Sequence, residues 1–164
     1  MEASIFASAV AFGLTGLAIY AFVEKVLPVL PSFPFLIFVG MFGGGSSGGV
    51  MVSLIAITLG STFGAMALFF LGRRVNEQKM RSLTARFGRY VMLPLDRYDD
   101  LVTSYRRRHF VVTLVGQLMP GTRNITPISA GTLGIAVIPF LFATMLSGLA
   151  WNASFLTLGY TLAH

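Results

Sequence analysis

The sequence predicts an all-α integral membrane protein with about three full transmembrane helices, two opposed re-entrant hairpins and a basic cytoplasmic amphipathic loop. Of its 164 residues, 55% are hydrophobic and only 11% are charged, whereas soluble domains carry about 25% charged residues. Ten of the twelve Lys and Arg residues lie between positions 73 and 108. This composition and charge pattern indicate a single membrane domain over residues 1–164.

Three apolar blocks are long enough to span a bilayer as helices. Residues 3–23 are uncharged, and a helix of this length rises about 32 Å, against a hydrocarbon core of about 30 Å. The acidic start and the long apolar run favour a retained helix over a cleaved signal peptide. Residues 50–72 and 137–162 give the other two spans, and the Gly60-x-x-x-Gly64 pattern suggests close helix packing.

The first predicted re-entrant hairpin covers residues 26–48. It lies in an uncharged run from 26 to 72, which is too long for one transmembrane helix. Pro28, Pro31 and Pro34 each remove a backbone donor and disfavour helix in the preceding residue. Uninterrupted helix is therefore expected only from about residue 34 to 41, which is too short to cross the bilayer. Irregular backbone at membrane depth must be covered by protein or line a watery cavity.

The second predicted hairpin covers residues 110–135 and is predicted for the same reasons. A helix of about ten residues meets Pro120-Gly121, and Pro127 follows shortly after. Neither arm is long enough to cross the bilayer. If the basic loop is cytoplasmic, the two hairpins enter from opposite sides of the membrane. Opposed broken segments are typical of inverted-repeat transporters with a binding site near the midplane.

Residues 73–108 are predicted to be a cytoplasmic segment on the membrane surface. Apolar residues at helical spacing among basic ones, in residues 76–88, suit an amphipathic helix on an anionic leaflet. A second surface helix is indicated by acids at 96–100 followed by bases at 106–108. The basic stretch lacks an aromatic stacking pattern, so nucleic-acid binding is not expected. Membrane lipids are the expected partners.

Arg123 is the principal candidate site residue. Thirteen uncharged residues precede it and forty follow before the last residue. A charge at bilayer depth costs at least about 2.5–3.5 kcal/mol, which makes it a functional candidate. It follows Gly121 and Thr122 at a predicted hairpin break, where backbone amides could be free. A guanidinium with free amides suits a phosphate or carboxylate. The alternative is an interfacial arginine that extends to the lipid headgroups.

Glu24 is the second candidate, at the start of the first hairpin. It either forms an interfacial pair with Lys25 or titrates in a semi-buried site and couples proton movement to transport. The residue types alone leave both interpretations open.

Enzymatic chemistry is not expected. The chain has no cysteine and two histidines, His109 and His164, far apart in sequence. The string Gly45-Ser46-Ser47-Gly48 matches some intramembrane serine proteases, but no histidine base is placed to activate a serine. No metal-ligand spacing and no nucleotide loop are present, so neither metal nor cofactor is expected.

Three stretches resemble the DedA family, also called the SNARE-associated or VTT domain family. Residues 24–32, E-K-V-L-P-V-L-P-S, are similar to the family pattern E-x-x-x-P-x-x-P followed by Gly or Ser. A Gly60-x-x-x-Gly64 helix continues to Leu-Gly-Arg at 71–73. Residues 116–123, G-Q-L-M-P-G-T-R, resemble the family's G-R-x-x-P-G-x-R. Further matches are Pro127, Ala130-Gly131, Phe140, Gly148 and Trp151.

The resemblance implies two facing re-entrant hairpins and transport of a polyprenyl-phosphate carrier lipid across the inner membrane, coupled to the proton-motive force. It also implies functional acids in the first hairpin and two arginines in the second. Glu24 and Arg123 match one of each. The first arginine position holds Gln117, which can hydrogen-bond a phosphate but not neutralise it, and Phe33 stands where an acid is frequent. Self-association into a homo-oligomer is a further hypothesis.

Three functions remain open at this stage. The first is an inner-membrane transporter that flips a polyprenyl phosphate or related phospholipid, with Arg123 holding the headgroup. The second is a proton-coupled transporter of a small ion or cationic compound, with Glu24 as the titrating group. The third is a non-transporting membrane assembly protein, in which both residues are structural.

Overall fold

The computed structural model describes residues 13–27, 32–42, 47–75, 78–79, 82, 85–86, 95–119 and 122–163. Within these ranges the regular structure is entirely helical. The helices are α1 (Gly13–Val26), α2 (Ser32–Phe42), α3 (Ser47–Arg73), α4 (Leu95–Leu118), α5 (Ile125–Thr132) and α6 (Val137–Ala163). The all-α prediction is confirmed for this part of the chain.

Among the described residues, two helices are long and apolar enough to cross a bilayer. They cover Gly48–Arg73 and Val137–Ala163 and correspond to the predicted spans at 50–72 and 137–162. Both expose large apolar side chains such as Phe63 and Phe142, as expected of surfaces in contact with lipid. The predicted first span begins outside the described residues, so only its second half, within α1, can be compared.

Several helix boundaries differ from the predicted ones, each for a local reason. Helix α1 continues through Glu24 to Val26 and ends where Pro28 disfavours helix in the residue before it. Helix α2 begins at Ser32 because Pro34 falls within its first turn, where a missing N–H breaks no helical hydrogen bond. The predicted surface helix and the first arm of the second hairpin form one helix, α4, with a kink at Arg108 (φ −144°, ψ 55°).

The two short helices α2 and α5 lie within the predicted hairpins at 26–48 and 110–135. Helix α2 has 11 residues and α5 has 8, rising about 17 and 12 Å. Their re-entrant character and opposed orientation depend on membrane depth and stay predictions. Most of the predicted amphipathic helix at 76–88 lies outside the described residues.

The chain divides into two compact units. Unit 1 consists of Met1–Gly64 and Gly148–His164, and unit 2 of Ala65–Ser147. The buried core of unit 1 joins α1, α2, α3 and α6 through Leu17, Tyr20, Ala21, Phe35, Leu36, Val39, Ile57 and Leu156. The core of unit 2 joins α3, α4, α5 and α6 through Ala65, Phe69, Tyr105, Ala130 and Phe140.

Each unit holds its short helix against a long one through a reciprocal pair of glycines. In unit 1, a Cβ on Gly40 would collide with the carbonyl of Leu156, and one on Gly159 with the carbonyl of Ile37. Each glycine therefore faces the carbonyl of the residue that lies three positions before the other glycine of the pair. The two backbones pack in direct contact, as is common between membrane helices.

Unit 2 repeats this arrangement between α3 and α5. A Cβ on Gly72 would collide with the carbonyl of Ile128, and one on Gly131 with the carbonyl of Phe69. The spacing of three residues is the same as in unit 1.

The Gly60-x-x-x-Gly64 prediction is also confirmed, because Gly60 meets the backbone of Ala18 on α1.

Candidate functional site

Arg123 lies in unit 2, in the turn that connects α4 to α5. Its side chain is buried, with 7% of its surface exposed, and it has interaction partners. An arginine that merely extended to the headgroups from a membrane surface would keep its charged end exposed. The burial therefore favours the functional interpretation over the interfacial one.

Hydrogen bonds within the turn hold the backbone around Arg123. The Arg123 amide donates to the Met119 carbonyl at 3.2 Å, and the Ile125 and Thr126 amides donate to the Thr122 carbonyl at 3.1 and 2.9 Å. The sequence suggested that such amides could be free to bind an anion. These three amides are occupied within the turn and are not available to an anion.

Thr122 and Gln117 are ordered by neighbouring groups of unit 2. The Thr122 hydroxyl donates to the Gly116 carbonyl at 2.7 Å. Gln117 is 4% exposed, and its Nε2 donates to Thr144 Oγ1 on α6 at 2.7 Å. The structure thus brings Gln117, Thr122 and Arg123 into one hydrogen-bonded hairpin. Their roles in substrate binding stay predictions.

Tyr105 fixes the hairpin from the side of the kinked helix. Its side chain is completely buried, and its hydroxyl donates to the Thr126 carbonyl on α5 at 3.3 Å. Thr113 Oγ1 lies 3.4 Å from the same hydroxyl and 2.8 Å from the His109 carbonyl. Burial raises the pKa of Tyr105 despite the opposing effect of its hydrogen bonds, so the phenol stays protonated as a donor.

Helices α4 and α5, the two arms of the hairpin, come into close contact at Gly116. A Cβ at this position would lie 2.7 Å from Thr126 Oγ1, and Thr126 itself is fully buried. Pro127 falls in the first turn of α5, where its missing N–H interrupts no helical bond. The predicted positions Pro28, Pro31, Pro120 and Gly121 lie outside the described residues.

Glu24 and Lys25 belong to unit 1, in the last turn of α1. They are 5% and 2% exposed, and both have interaction partners. The sequence left open an interfacial pair, which would be solvated, and a semi-buried titrating carboxylate. Burial of both side chains argues against a solvated interfacial pair, and the role of Glu24 in proton coupling stays a prediction.

Sequence reasoning missed three buried features of the molecule. Lys25 was considered only as an interfacial neighbour of Glu24, although Gly64 in a small-residue pattern could have indicated close packing on α1. Tyr105 was missed because it lies in the charged segment. The third is Asn152, which is 1% exposed and donates from Nδ2 to Thr58 Oγ1 at 3.1 Å, while its Oδ1 has no hydrogen-bond partner among the described residues.

A buried guanidinium near polar side chains is a candidate for binding an anion, and this role stays a prediction. The described residues contain no group of three or more His, Cys, Asp or Glu side chains that could hold a metal ion. The described structure is therefore helical, with two long apolar helices and a buried guanidinium at a helix–turn–helix hairpin.

Comparison with known proteins identifies the family. The VTT domain matches residues 30–161, and the chain belongs to the VTT domain family, as the DedA resemblance predicted. No solved structure matches the chain significantly. Membership of this family, together with the two long apolar helices, places the protein in a membrane.

Three curated relatives cover most of the chain. Alkaline phosphatase-like proteins of Lactococcus lactis subsp. cremoris (strain MG1363) and subsp. lactis (strain IL1403) are 28% and 29% identical over 92% of this chain and 71% of their own lengths. Undecaprenyl phosphate transporter A of Staphylococcus aureus (strain NCTC 8325 / PS 47) is 26% identical over 93% of this chain and 75% of its own length.

Proposed function

We propose that the protein is a transporter of the inner membrane that flips a polyprenyl phosphate, or a related phospholipid, across the bilayer. The observation that carries the proposal is the burial of Arg123, at 7% exposure, in a stretch that is otherwise uncharged. The similarity to the undecaprenyl phosphate transporter of Staphylococcus aureus supports the choice of substrate.

Arg123 would bind the phosphate headgroup during its passage. A guanidinium presents parallel N–H donors that match two phosphate oxygens, and such charge-assisted bonds are about twice as strong as neutral ones. Gln117, Thr122 and Gly121 would contribute further polar contacts to the headgroup. Because Gln117 is hydrogen-bonded to Thr144 on α6 and Thr122 to the Gly116 carbonyl on α4, these two polar groups are preorganised.

The topology belongs to the same proposal. Residues 73–108 would face the cytoplasm by the positive-inside rule, and the two hairpins would enter from opposite sides. Glu24 would take up and release the proton that couples transport to the proton-motive force. The protein would act without chemical conversion of the lipid, so transport would release no inorganic phosphate.

The experiment measures translocation of a short-chain fluorescent polyprenyl phosphate in liposomes that contain the purified protein. Arg123→Ala is compared with wild type and with Arg107→Ala, a matched control at an exposed position. We expect Arg123→Ala to lose transport while Arg107→Ala retains it, with both proteins inserted and folded. Equal transport by Arg123→Ala and wild type would refute the proposed role.

A transporter of small ions is the second candidate, and the burial of Glu24 favours it. In that case Glu24→Ala would impair transport of the ion more than Arg123→Ala, and wild-type liposomes would not move the phosphorylated lipid. A purely structural role would instead appear as equal loss of stability and function in both variants.

A further inference from the structure

The first observation is a group of buried polar side chains where α3 and α6 meet in unit 1. Asn152 on α6 donates from Nδ2 to Thr58 Oγ1 on α3 at 3.1 Å. Gly148 on α6 faces the same part of α3, because a Cβ there would lie 3.7 Å from Thr58 Cγ2 and 3.8 Å from Ser61 Oγ. Thr62 follows Thr58 by four residues and therefore shares its side of the helix. We call Thr58, Ser61, Thr62 and Asn152 the polar cluster.

The polar cluster lies near the middle of two apolar spans. These spans cover Gly48–Arg73 and Val137–Ala163, and Thr58 and Asn152 are each within three residues of the centre of their own span. Water is scarce at this depth of a bilayer, so polar groups must find their partners in the protein or in a ligand. Polar residues placed inside a membrane frequently mark the pathway of a substrate or an ion.

The second observation is that two oxygen atoms of the polar cluster have no hydrogen-bond partner within the described part of the chain. They are Asn152 Oδ1 and Thr62 Oγ1, on residues that are 1% and 5% exposed. Because Oδ1 and Nδ2 belong to one planar amide group, Asn152 Oδ1 lies beside the Thr58 hydroxyl. A buried polar atom without a partner is costly, and the large majority of such atoms in proteins are paired. The two oxygens therefore point to a ligand.

The polar cluster offers mainly lone pairs to such a ligand. The Ser61 hydroxyl already donates its hydrogen to the Thr58 carbonyl at 3.1 Å, and Asn152 Nδ2 donates to the Thr58 hydroxyl. An amide oxygen such as Asn152 Oδ1 can only accept, and the hydroxyl oxygens of Ser61 and Thr62 also carry lone pairs. Uncharged oxygen ligands of this kind suit a hard cation rather than an anion.

We propose that the polar cluster is a binding site for a small monovalent cation, for which Na⁺ is the probe. A single charge fits best, because α6 and the part of α3 before Arg73 contain no carboxylate and no imidazole to compensate a divalent ion. Each further charge at this depth would add to the cost of burial. The inference goes beyond the proposed function and does not depend on Arg123.

The spacing of the ligands suits one ion of this size. The Cβ atoms of residues four apart on a helix, such as Thr58 and Thr62, lie about 5–6 Å from each other. Oxygen ligands lie about 2.3–2.6 Å from Ca²⁺, and Na⁺ has nearly the same ionic radius, so oxygens on opposite sides of the ion are about 5 Å apart. One ion can therefore bridge two turns of α3, with Asn152 Oδ1 as the ligand from α6. Coupling ions of secondary transporters bind near the bilayer midplane, which is also the depth of this cluster.

The experiment measures binding of radiolabelled Na⁺ and thermal unfolding, both with the purified full chain in detergent. Unfolding is recorded in NaCl and in choline chloride at equal ionic strength, because choline is too large for the polar cluster. At a Na⁺ concentration of about ten times the Kd, linkage multiplies the folded-to-unfolded ratio about elevenfold, which raises the Tm by about 3–6 °C for a chain of this size. We expect wild type to show this rise, to saturate with Na⁺ concentration and to bind one ion per chain.

Three variants and a control test the position of the ion. Asn152→Leu and Thr62→Val each remove an unpartnered oxygen and should raise the Kd for Na⁺ at least about tenfold, since even substitutions around the ligands of a metal site cost about 10–100-fold. Asn152→Asp keeps the oxygen and adds a negative charge, so it should lower the Kd. Thr157→Val makes the same chemical change as Thr62→Val at an exposed position of α6, and it should keep the wild-type Kd.

Two results would overturn the proposal. One is that wild type unfolds identically in NaCl and choline chloride and binds no radiolabelled Na⁺, which would leave water as the partner of the two oxygens. The other is Na⁺ binding that is unchanged in folded Asn152→Leu and Thr62→Val, which would place the ion elsewhere. The unfolding curve in choline chloride shows whether each variant is folded. The opposite effects expected for Asn152→Asp and Asn152→Leu separate loss of a ligand from altered packing.

Discussion

Replacement of Gly131 by alanine tests the glycine-mediated contact between α5 and α3. The added Cβ would collide with the Phe69 carbonyl oxygen and lie 2.9 Å from the Phe69 carbonyl carbon and 3.0 Å from the Arg73 amide nitrogen. All three are backbone atoms, which cannot rotate away as a side chain can. Since carbon contacts are optimal at about 3.5–4.0 Å, α5 must move away from α3.

The magnitude follows from two opposing effects. Alanine gains up to about 1 kcal/mol of helix propensity over glycine, whereas overpacking in a close contact typically costs about 1–3 kcal/mol. The collision involves backbone on both sides, so we expect the upper part of this range and a net loss of about 1–2 kcal/mol. The rate of transport should fall by more than the loss of folded protein accounts for, because α5 begins at the turn that carries Arg123.

The assay is thermal unfolding in detergent, with prenyl phosphate translocation measured on the same preparations. Gly148→Ala is the matched control, since its Cβ would meet nothing closer than Thr58 Cγ2 at 3.7 Å and Ser61 Oγ at 3.8 Å. We expect Gly148→Ala to be as stable as wild type or more stable. If Gly131→Ala has the same stability and activity as Gly148→Ala, the argument from backbone contact is wrong.

Three further substitutions have defined expectations, each measured as the change in free energy of unfolding. Tyr105→Phe removes the hydroxyl that donates to the Thr126 carbonyl and should lower the free energy of unfolding by about 0.5–1.5 kcal/mol. The Kd for prenyl phosphate should rise. Unchanged stability and Kd would show that Tyr105 does not support the hairpin. Asn152→Leu loses the bond to Thr58 but also removes a buried oxygen that has no hydrogen-bond partner among the described residues. We therefore expect a change within about 1 kcal/mol, and a larger loss would show that the oxygen is bonded. Gly134→Ala places a side chain at φ +69° and should cost about 1–2 kcal/mol; a neutral result would contradict that conformation.

The long helices could be predicted from the sequence because their signals are local. An uncharged block of sufficient length and the positions of Pro34 and Pro127 are visible along the chain, and the structure has short helices at both places. The end of α1 at Val26 is harder to predict from the sequence, because the charges of Glu24 and Lys25 indicate that the apolar span stops before them. The structure instead buries Glu24 and Lys25 within its last turn.

The contacts between helices could not be derived from the sequence. Glycines at 40 and 131 are visible, but their partners lie more than 50 residues away and depend on the tertiary arrangement. Similarly, nothing local indicates that Tyr105 reaches Thr126 or that Gln117 reaches Thr144. Arg123 could be identified because a lone charge in an apolar stretch is unfavourable wherever its partners lie.

The central claim is that Arg123 recognises the phosphate of a transported lipid, and headgroup dependence tests it most directly. Translocation of a fluorescent prenyl phosphate is compared with that of the corresponding prenyl alcohol in the same liposomes, with wild type and with Arg123→Ala. The account predicts that wild type accelerates only the phosphate and that Arg123→Ala abolishes this acceleration. Equal acceleration of both lipids, or acceleration of the phosphate that persists in Arg123→Ala, would contradict it.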